Sequence, residues 1–78
     1  MSSKKYELYG TMRCPYTAEM RDWLELRHLE FEEYDVESDP AALERMKALG
    51  GGQRSVPVLV EDGQVVQIGW QGRSCVVG

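Results

Sequence analysis

Apolar and polar positions change their spacing several times along the chain, and each change marks an element. Tyr6 and Leu8 alternate with Glu7 in Lys5–Tyr9, the period-two pattern of a short strand, and Gly10 ends it. From Pro15 to about Leu29 the spacing turns helical. Met20, Trp23, Leu24 and Leu26 form a broad stripe, with Glu19, Arg21, Asp22, Glu25 and Arg27 on the other side. Phe31–Val36 alternates again and predicts a second strand. Ser38-Asp39-Pro40 starts a second helix, since Asp39 is a good N-cap and Pro40 suits the first helical position. That helix carries Leu43, Met46 and Leu49 and stops at Gly50-Gly51-Gly52. Val56–Val60 is an apolar, β-branched run. Pro57 near its front lacks a ladder donor and belongs at the strand's start or at an irregular point. Glu61-Asp62-Gly63-Gln64 carries the Asp-Gly signal of a hairpin turn, and Val65–Ile68 is the return strand. A short, glycine-rich tail runs from Gly69 to Gly78.

The order is therefore β-α-β-α-β-β plus a tail. The first two strands need a crossover between them, which makes them parallel and right-handed, and the last two form an antiparallel hairpin. The expected result is an α/β domain with a small mixed sheet covered by helices. Its 78 residues make one domain, 1–78, with a small core. Nine Lys and Arg against 13 Asp and Glu give a net charge of −4, which argues against a nucleic-acid surface. The acidic stretches Glu30–Asp35 and Glu37–Asp39 read as a solvated strand edge and a helix start. The beginning, Met1–Lys5, has charge but no apolar core, so no signal peptide is expected, and no apolar run approaches membrane-spanning length. The expected location is cytoplasmic.

The candidate chemistry lies in Thr11–Thr17, between the first strand and the first helix. Cys14 stands at the helix start, where unpaired N–H groups and the positive end of the macrodipole favour a thiolate. Arg13 adds positive charge if its side chain turns toward the sulfur. Pro15 fits the first turn. A buried, inert thiol is the alternative for Cys14, but its position, Pro15 and Arg13 together favour a reactive one.

In this order, Cys14-Pro15-Tyr16-Thr17 resembles the glutaredoxin motif Cys-Pro-Tyr-Cys with threonine in place of the second cysteine. Gly52-Gln53-Arg54-Ser55-Val56-Pro57 resembles the family's segment ending in Thr-Val-Pro, and Ile68-Gly69 resembles the start of its glycine pair. The resemblance implies a thioredoxin-like fold of glutaredoxin type, β-α-β-α-β-β, with a mixed four-stranded sheet and the final helix reduced or absent. It implies that Cys14 is the nucleophile and that Tyr16 shapes the substrate groove. It also implies that Val56 offers its backbone to the peptide part of glutathione as an added strand would receive it, and that Pro57 is cis beside the sulfur. Arg13, Thr17, Gln53, Gly69 and Trp70 complete the expected substrate-binding set. The chain departs from the family at Thr11, where many members have lysine, and at Trp70, where the second glycine stands. Gln71-Gly72-Arg73 also lacks the acidic residue that holds glutathione's amino end. The ending Gly69–Cys75 looks like a small bacterial glutaredoxin-like subgroup, some of whose members carry selenocysteine at the position of Cys14.

Several residues keep two readings. Cys14-x-x-Thr17 cannot close an internal disulfide, so the route is monothiol, with a second thiol such as glutathione resolving the intermediate. The Thr17 hydroxyl either hydrogen-bonds the thiolate or is an ordinary helix-start group. Cys75 is either a resolving cysteine for Cys14 or a packed thiol in the tail; a bond needs Cα atoms within roughly 7 Å. Trp70 either lines the groove or covers the sheet where the last helix is missing. Trp23 reads as core, and His28 as a structural residue near a helix C-terminus. Two cysteines and one histidine are too few for a usual zinc site, so no metal is expected. The expected activity is thiol–disulfide oxidoreduction by a monomer, with glutathione as co-substrate, no tightly bound cofactor, and disulfide-containing small molecules or proteins as partners. The rival function is an iron–sulfur cluster carrier or a redox-sensing interaction module.

Overall fold

A computed structural model describes residues 5–77. The elements are β1 (Tyr6–Gly10), α1 (Pro15–Leu26), β2 (Phe31–Asp35), α2 (Pro40–Leu49), β3 (Ser55–Val56), β4 (Val58–Glu61), β5 (Gln64–Ile68) and β6 (Cys75–Val76). The main sheet has the order β2-β1-β4-β5, and β3 and β6 form a separate two-stranded sheet. β1 is parallel to β2 and antiparallel to β4, as the crossover requires, and β4–β5 is the hairpin.

Side-chain alternation along the strands gives the sheet two buried faces. Leu8 and Leu59 pack with Met20 and Leu24 of α1 on one. Tyr9, Val58 and Val60 pack with Ala42 and Met46 of α2 on the other, in a cluster that also contains Cys14, Val56 and Val77. The helix stripes therefore decide which face each helix covers.

Local chemistry sets the boundaries. Asp39 caps α2 by accepting from the N–H groups of Ala41 (3.1 Å) and Ala42 (3.3 Å). α1 stops at Leu26, three residues before the expected Leu29, because His28 takes φ 57°. The N–H of His28 then donates to the Glu25 carbonyl and that of Leu29 to the Leu24 carbonyl, the reciprocal pair of a Schellman cap. His28 is thus structural through its backbone. Asp62 (φ 51°) and Gly63 (φ 83°) make the β4–β5 turn. Pro57 follows a cis bond and divides the expected single run into β3 and β4. Beyond β5 the described residues form a turn and a strand and no final helix. Among the described residues no helix is long and apolar enough to cross a membrane.

Candidate functional site

Cys14 is the N-cap of α1, in the extended conformation (φ −94°, ψ 115°) that a following proline favours. Its carbonyl accepts from the N–H groups of Thr17 (3.2 Å) and Ala18 (3.4 Å), and its own N–H donates to the Thr11 carbonyl (3.2 Å). The sulfur therefore leaves the backbone where the helix presents its unpaired donors. Cys14 is 2 % exposed and is disulfide-bonded to Cys75, with 6.1 Å between the two Cα atoms.

The approach of Cys75 follows from backbone geometry in the tail. Gly69 has φ 85°, and its N–H donates to the Pro57 carbonyl (2.7 Å). A Cβ there would lie 2.8 Å from the Arg73 carbonyl oxygen, so the bend needs glycine. Trp70 and Arg73 exchange backbone hydrogen bonds of 2.7 and 2.9 Å around Gln71 and Gly72, both at positive φ. This turn sends Ser74–Val77 back along β3. β6 then pairs antiparallel with β3, placing Cys75 opposite Val56 and Val76 opposite Ser55. The N–H of Val77 donates to the Arg54 carbonyl (3.0 Å).

The loop before Cys14 is held by a residue that sequence reasoning missed. β1 and β2 run in parallel with Gly10 opposite Asp35, so the segments that leave them lie side by side. Glu37 there accepts from the Thr11 hydroxyl and from Arg13 through Nε (3.2 Å) and Nη2 (2.7 Å). The Arg13 N–H in turn donates to Thr11 Oγ1 (3.3 Å). Hydrogen bonding from Arg13, and next from Thr11, holds the Glu37 carboxyl below its ordinary range; the same contact holds Arg13 above its own. Arg13 would add charge at the sulfur only if its side chain turned that way, and its guanidinium is instead paired with Glu37. Glu37 lies in the acidic stretch Glu37–Asp39 that reads as a helix start, and its only signal is the parallel register of the two strands. A shallow cleft of about 180 Å³ opens between Thr11, Arg13, Glu37 and the Cys14–Cys75 pair.

The other expected site residues divide. Val56 is fully buried, and Tyr16 packs half-buried against the cluster of Cys14 and Val56. Gln53 turns its amide inward, accepting from the Ser55 N–H (2.8 Å) and donating to the Ser55 carbonyl (3.3 Å), which shapes the entry to β3. Thr17 is fully buried over Gly10, where a Cβ on the glycine would lie 2.6 Å from the Thr17 hydroxyl oxygen. That hydroxyl has no hydrogen-bond partner among the described residues. Trp70 is not with the cysteines. It packs edge-to-face on Trp23, with centroids 6.0 Å apart, in the cluster beneath α1. Of its two readings, covering the sheet where a further helix would lie is the one the packing supports.

Comparison with known proteins agrees with this geometry. The sequence model of the family described as Glutaredoxin matches residues 6–66. A Synechocystis protein named as a probable glutaredoxin is 36% identical over 62 residues, spanning 80% of this chain and 70% of that protein. Among solved structures, a point variant of the thioredoxin-like protein BC3987 superposes with a TM-score of 0.74 at 33% identity, over 85% of this chain and 82% of that one. The glutaredoxin of Archaeoglobus fulgidus gives the same TM-score at 22% identity, over 85% and 75% of the two chains, and so speaks for the fold alone. The match over residues 6–66, together with a cysteine at the first strand–helix junction, identifies the chain as a member of the glutaredoxin family of thiol–disulfide oxidoreductases.

Proposed function

We propose that the protein reduces disulfides through Cys14 as nucleophile, with Cys75 resolving the intermediate and glutathione as the co-substrate that returns both cysteines to thiols. The Cys14 thiolate attacks a disulfide R–S–S–R′, forms Cys14–S–S–R and expels R′–S⁻. The Cys75 thiolate then attacks Cys14 Sγ, releases R–S⁻ and leaves the Cys14–Cys75 disulfide. Two molecules of glutathione reduce that bond by successive exchange and leave as glutathione disulfide, which balances the two electrons. The observation that carries this reading is the Cys14–Cys75 disulfide at the start of α1. Thr17, three residues after Cys14, offers no sulfur, so Cys75 is the second thiol in reach.

The backbone of Val56 beside Cys14 supports a substrate read partly as an extended chain. Small mixed disulfides and exposed protein disulfides both fit this chemistry. A reducing compartment such as the cytoplasm would supply the thiols, and a monomer holds both cysteines.

Turnover of a glutathione mixed disulfide by wild type, Cys14→Ser and Cys75→Ser tests the assignment. Cys14→Ser should lose activity, and Cys75→Ser should accumulate the Cys14 mixed disulfide. Mild oxidation of wild type should remove two protons by mass without forming a dimer. Undiminished turnover in Cys14→Ser ends the proposal. Unchanged turnover in Cys75→Ser removes the resolving role and leaves the monothiol route, with glutathione resolving the intermediate.

A further inference from the structure

The strand edge beside the nucleophile is filled by the protein itself. Cys75 is bonded to Cys14 and stands opposite Val56 in an antiparallel pair, and Val77 donates to the Arg54 carbonyl. A polypeptide caught by Cys14 as a mixed disulfide, with its backbone added to Ser55–Val56, would make these same two kinds of contact: a sulfur bond to Cys14 and a ladder to β3. The tail is seated rather than draped, because Val77 is buried in the cluster that contains Cys14 and Val56.

Besides the sulfur bond, it is held by a two-residue ladder, the Val77–Arg54 hydrogen bond and the one buried side chain of Val77. β6 has two residues, and Val76 between the two anchors is 79% exposed. A two-residue ladder is marginal in water. The turn from Gly69 to Arg73 is attached to Pro57, just before β4, through the Gly69–Pro57 hydrogen bond, so the strand beyond it is tethered by a few residues whatever its redox state. A short tether keeps a released strand at high effective concentration, so it competes with a free ligand and does not merely leave.

We propose that β6 is a redox-gated strap: it occupies the Ser55–Val56 edge as a tethered stand-in for an extended cysteinyl peptide while Cys14–Cys75 is oxidised, and yields that edge when the bond is reduced. The inference rests on the exchange chemistry proposed above and adds its regulation. Opening consumes two thiol equivalents: Cys14–S–S–Cys75 and two R–SH give two cysteine thiols and R–S–S–R. The oxidised protein therefore offers no free Ser55–Val56 edge to an extended thiol peptide, whose first attack on the disulfide is made through sulfur alone, and the reduced protein binds such a peptide by its backbone against its own tail.

The test uses the full ¹⁵N-labelled chain, oxidised or reduced with a phosphine, and the Cys75→Ser variant. The probe is S-methylglutathione, an extended cysteinyl peptide that cannot form a disulfide. The Val77 amide should exchange with solvent roughly tenfold faster or more in the reduced protein than in the oxidised one. The probe should shift the Val56 amide saturably in the reduced protein and in Cys75→Ser, and leave it unmoved in the oxidised protein. Equal protection of Val77 in both redox states overturns the strap. So does a Val56 shift in the oxidised protein, or the lack of one in the reduced protein. If Cys75→Ser does not fold, the oxidised and reduced wild type still decide the question. Failure of the underlying chemistry has a separate signature: no two-proton mass loss on oxidation. A disulfide that forms with Val77 equally protected in both states sinks the strap alone.

Discussion

Reducing Cys14–Cys75 should destabilise the fold by an amount that the chain length between them sets. The cysteines are 61 residues apart in sequence, so the bond closes most of the described chain into one ring. In the chain-entropy account, a ring of that size removes about 14 cal/mol/K from the unfolded ensemble, or about 4 kcal/mol at 25 °C. Release of β6 in the reduced folded state returns some of this as tail freedom, which brings the expected difference to between about 2 and 4 kcal/mol. For a domain of this size that corresponds to a melting shift of about 10–30 °C. Urea unfolding of oxidised and reduced wild type, followed by circular dichroism, measures it directly. The oxidised protein should have the higher midpoint and the smaller m value, because its cross-linked unfolded state exposes less surface. Cys75→Ser should match reduced wild type and ignore the reductant. By reciprocity, folding favours closing the bond by the same free energy, roughly thirty- to a thousandfold. Oxidised and reduced proteins with equal midpoints would refute the reasoning, since the bond would then not be closed across the native fold.

Gly10→Ala should destabilise the protein by about 1–3 kcal/mol, because the new Cβ meets Thr17 Cγ2 and the Thr17 hydroxyl. Combining it with Thr17→Ala should recover part of the loss, a non-additivity that a double-mutant cycle reads. Glu37 has its folded carboxyl lowered by Arg13 and Thr11, so its contribution to stability is fully present above the ordinary glutamate range and is lost as pH falls through the lower folded value. Glu37→Gln should flatten the acid side of the stability profile and leave the neutral and alkaline sides parallel to wild type. Trp70→Ala should cost about 2–4 kcal/mol in urea unfolding through lost packing on Trp23 while leaving KM for a glutathione mixed disulfide unchanged; a raised KM would return Trp70 to the substrate groove.

The elements were legible because each rests on a local rule. Asp39 before Pro40, the Asp62-Gly63 turn and the stripe Met20–Leu24 carry their structural meaning in a few neighbouring residues. Cys14 was legible for the same reason, since a helix start following a strand is a local event. What could not be read depended on register or on a distant turn. Glu37 reaches Thr11 and Arg13 only because β1 and β2 run in parallel with Gly10 opposite Asp35. Without that register, Arg13 looks available to the sulfur. The end of α1 shifted because a histidine adopted the left-handed conformation that glycine usually supplies. Cys75 was an open alternative because its path depends on three successive positive-φ or glycine positions, at Gly69, Gln71 and Gly72, which aim the strand but leave little trace in its own residues.

The placement of the second thiol changes what oxidation does to the molecule. A cysteine at position 17 would sit on the first turn of α1, and closing a bond across so few residues would leave the rest of the fold where it was. Thr17 removes that option and fills the space over Gly10 instead. With the partner sulfur at Cys75, closing the bond brings a strand with it, onto the edge of Val56 beside Cys14. In the proposed cycle, attack by Cys75 on a mixed disulfide at Cys14 requires β6 to approach the edge where the caught peptide would lie. On the proposed route, resolution of the covalent intermediate and displacement of the bound chain would be one motion, driven by the same two residues of strand. A substrate held at Cys14 through sulfur alone would meet less competition from that strand than one held through sulfur and backbone together. The ratio of turnover on small disulfides to turnover on peptide disulfides should therefore fall when Cys75 is replaced by serine.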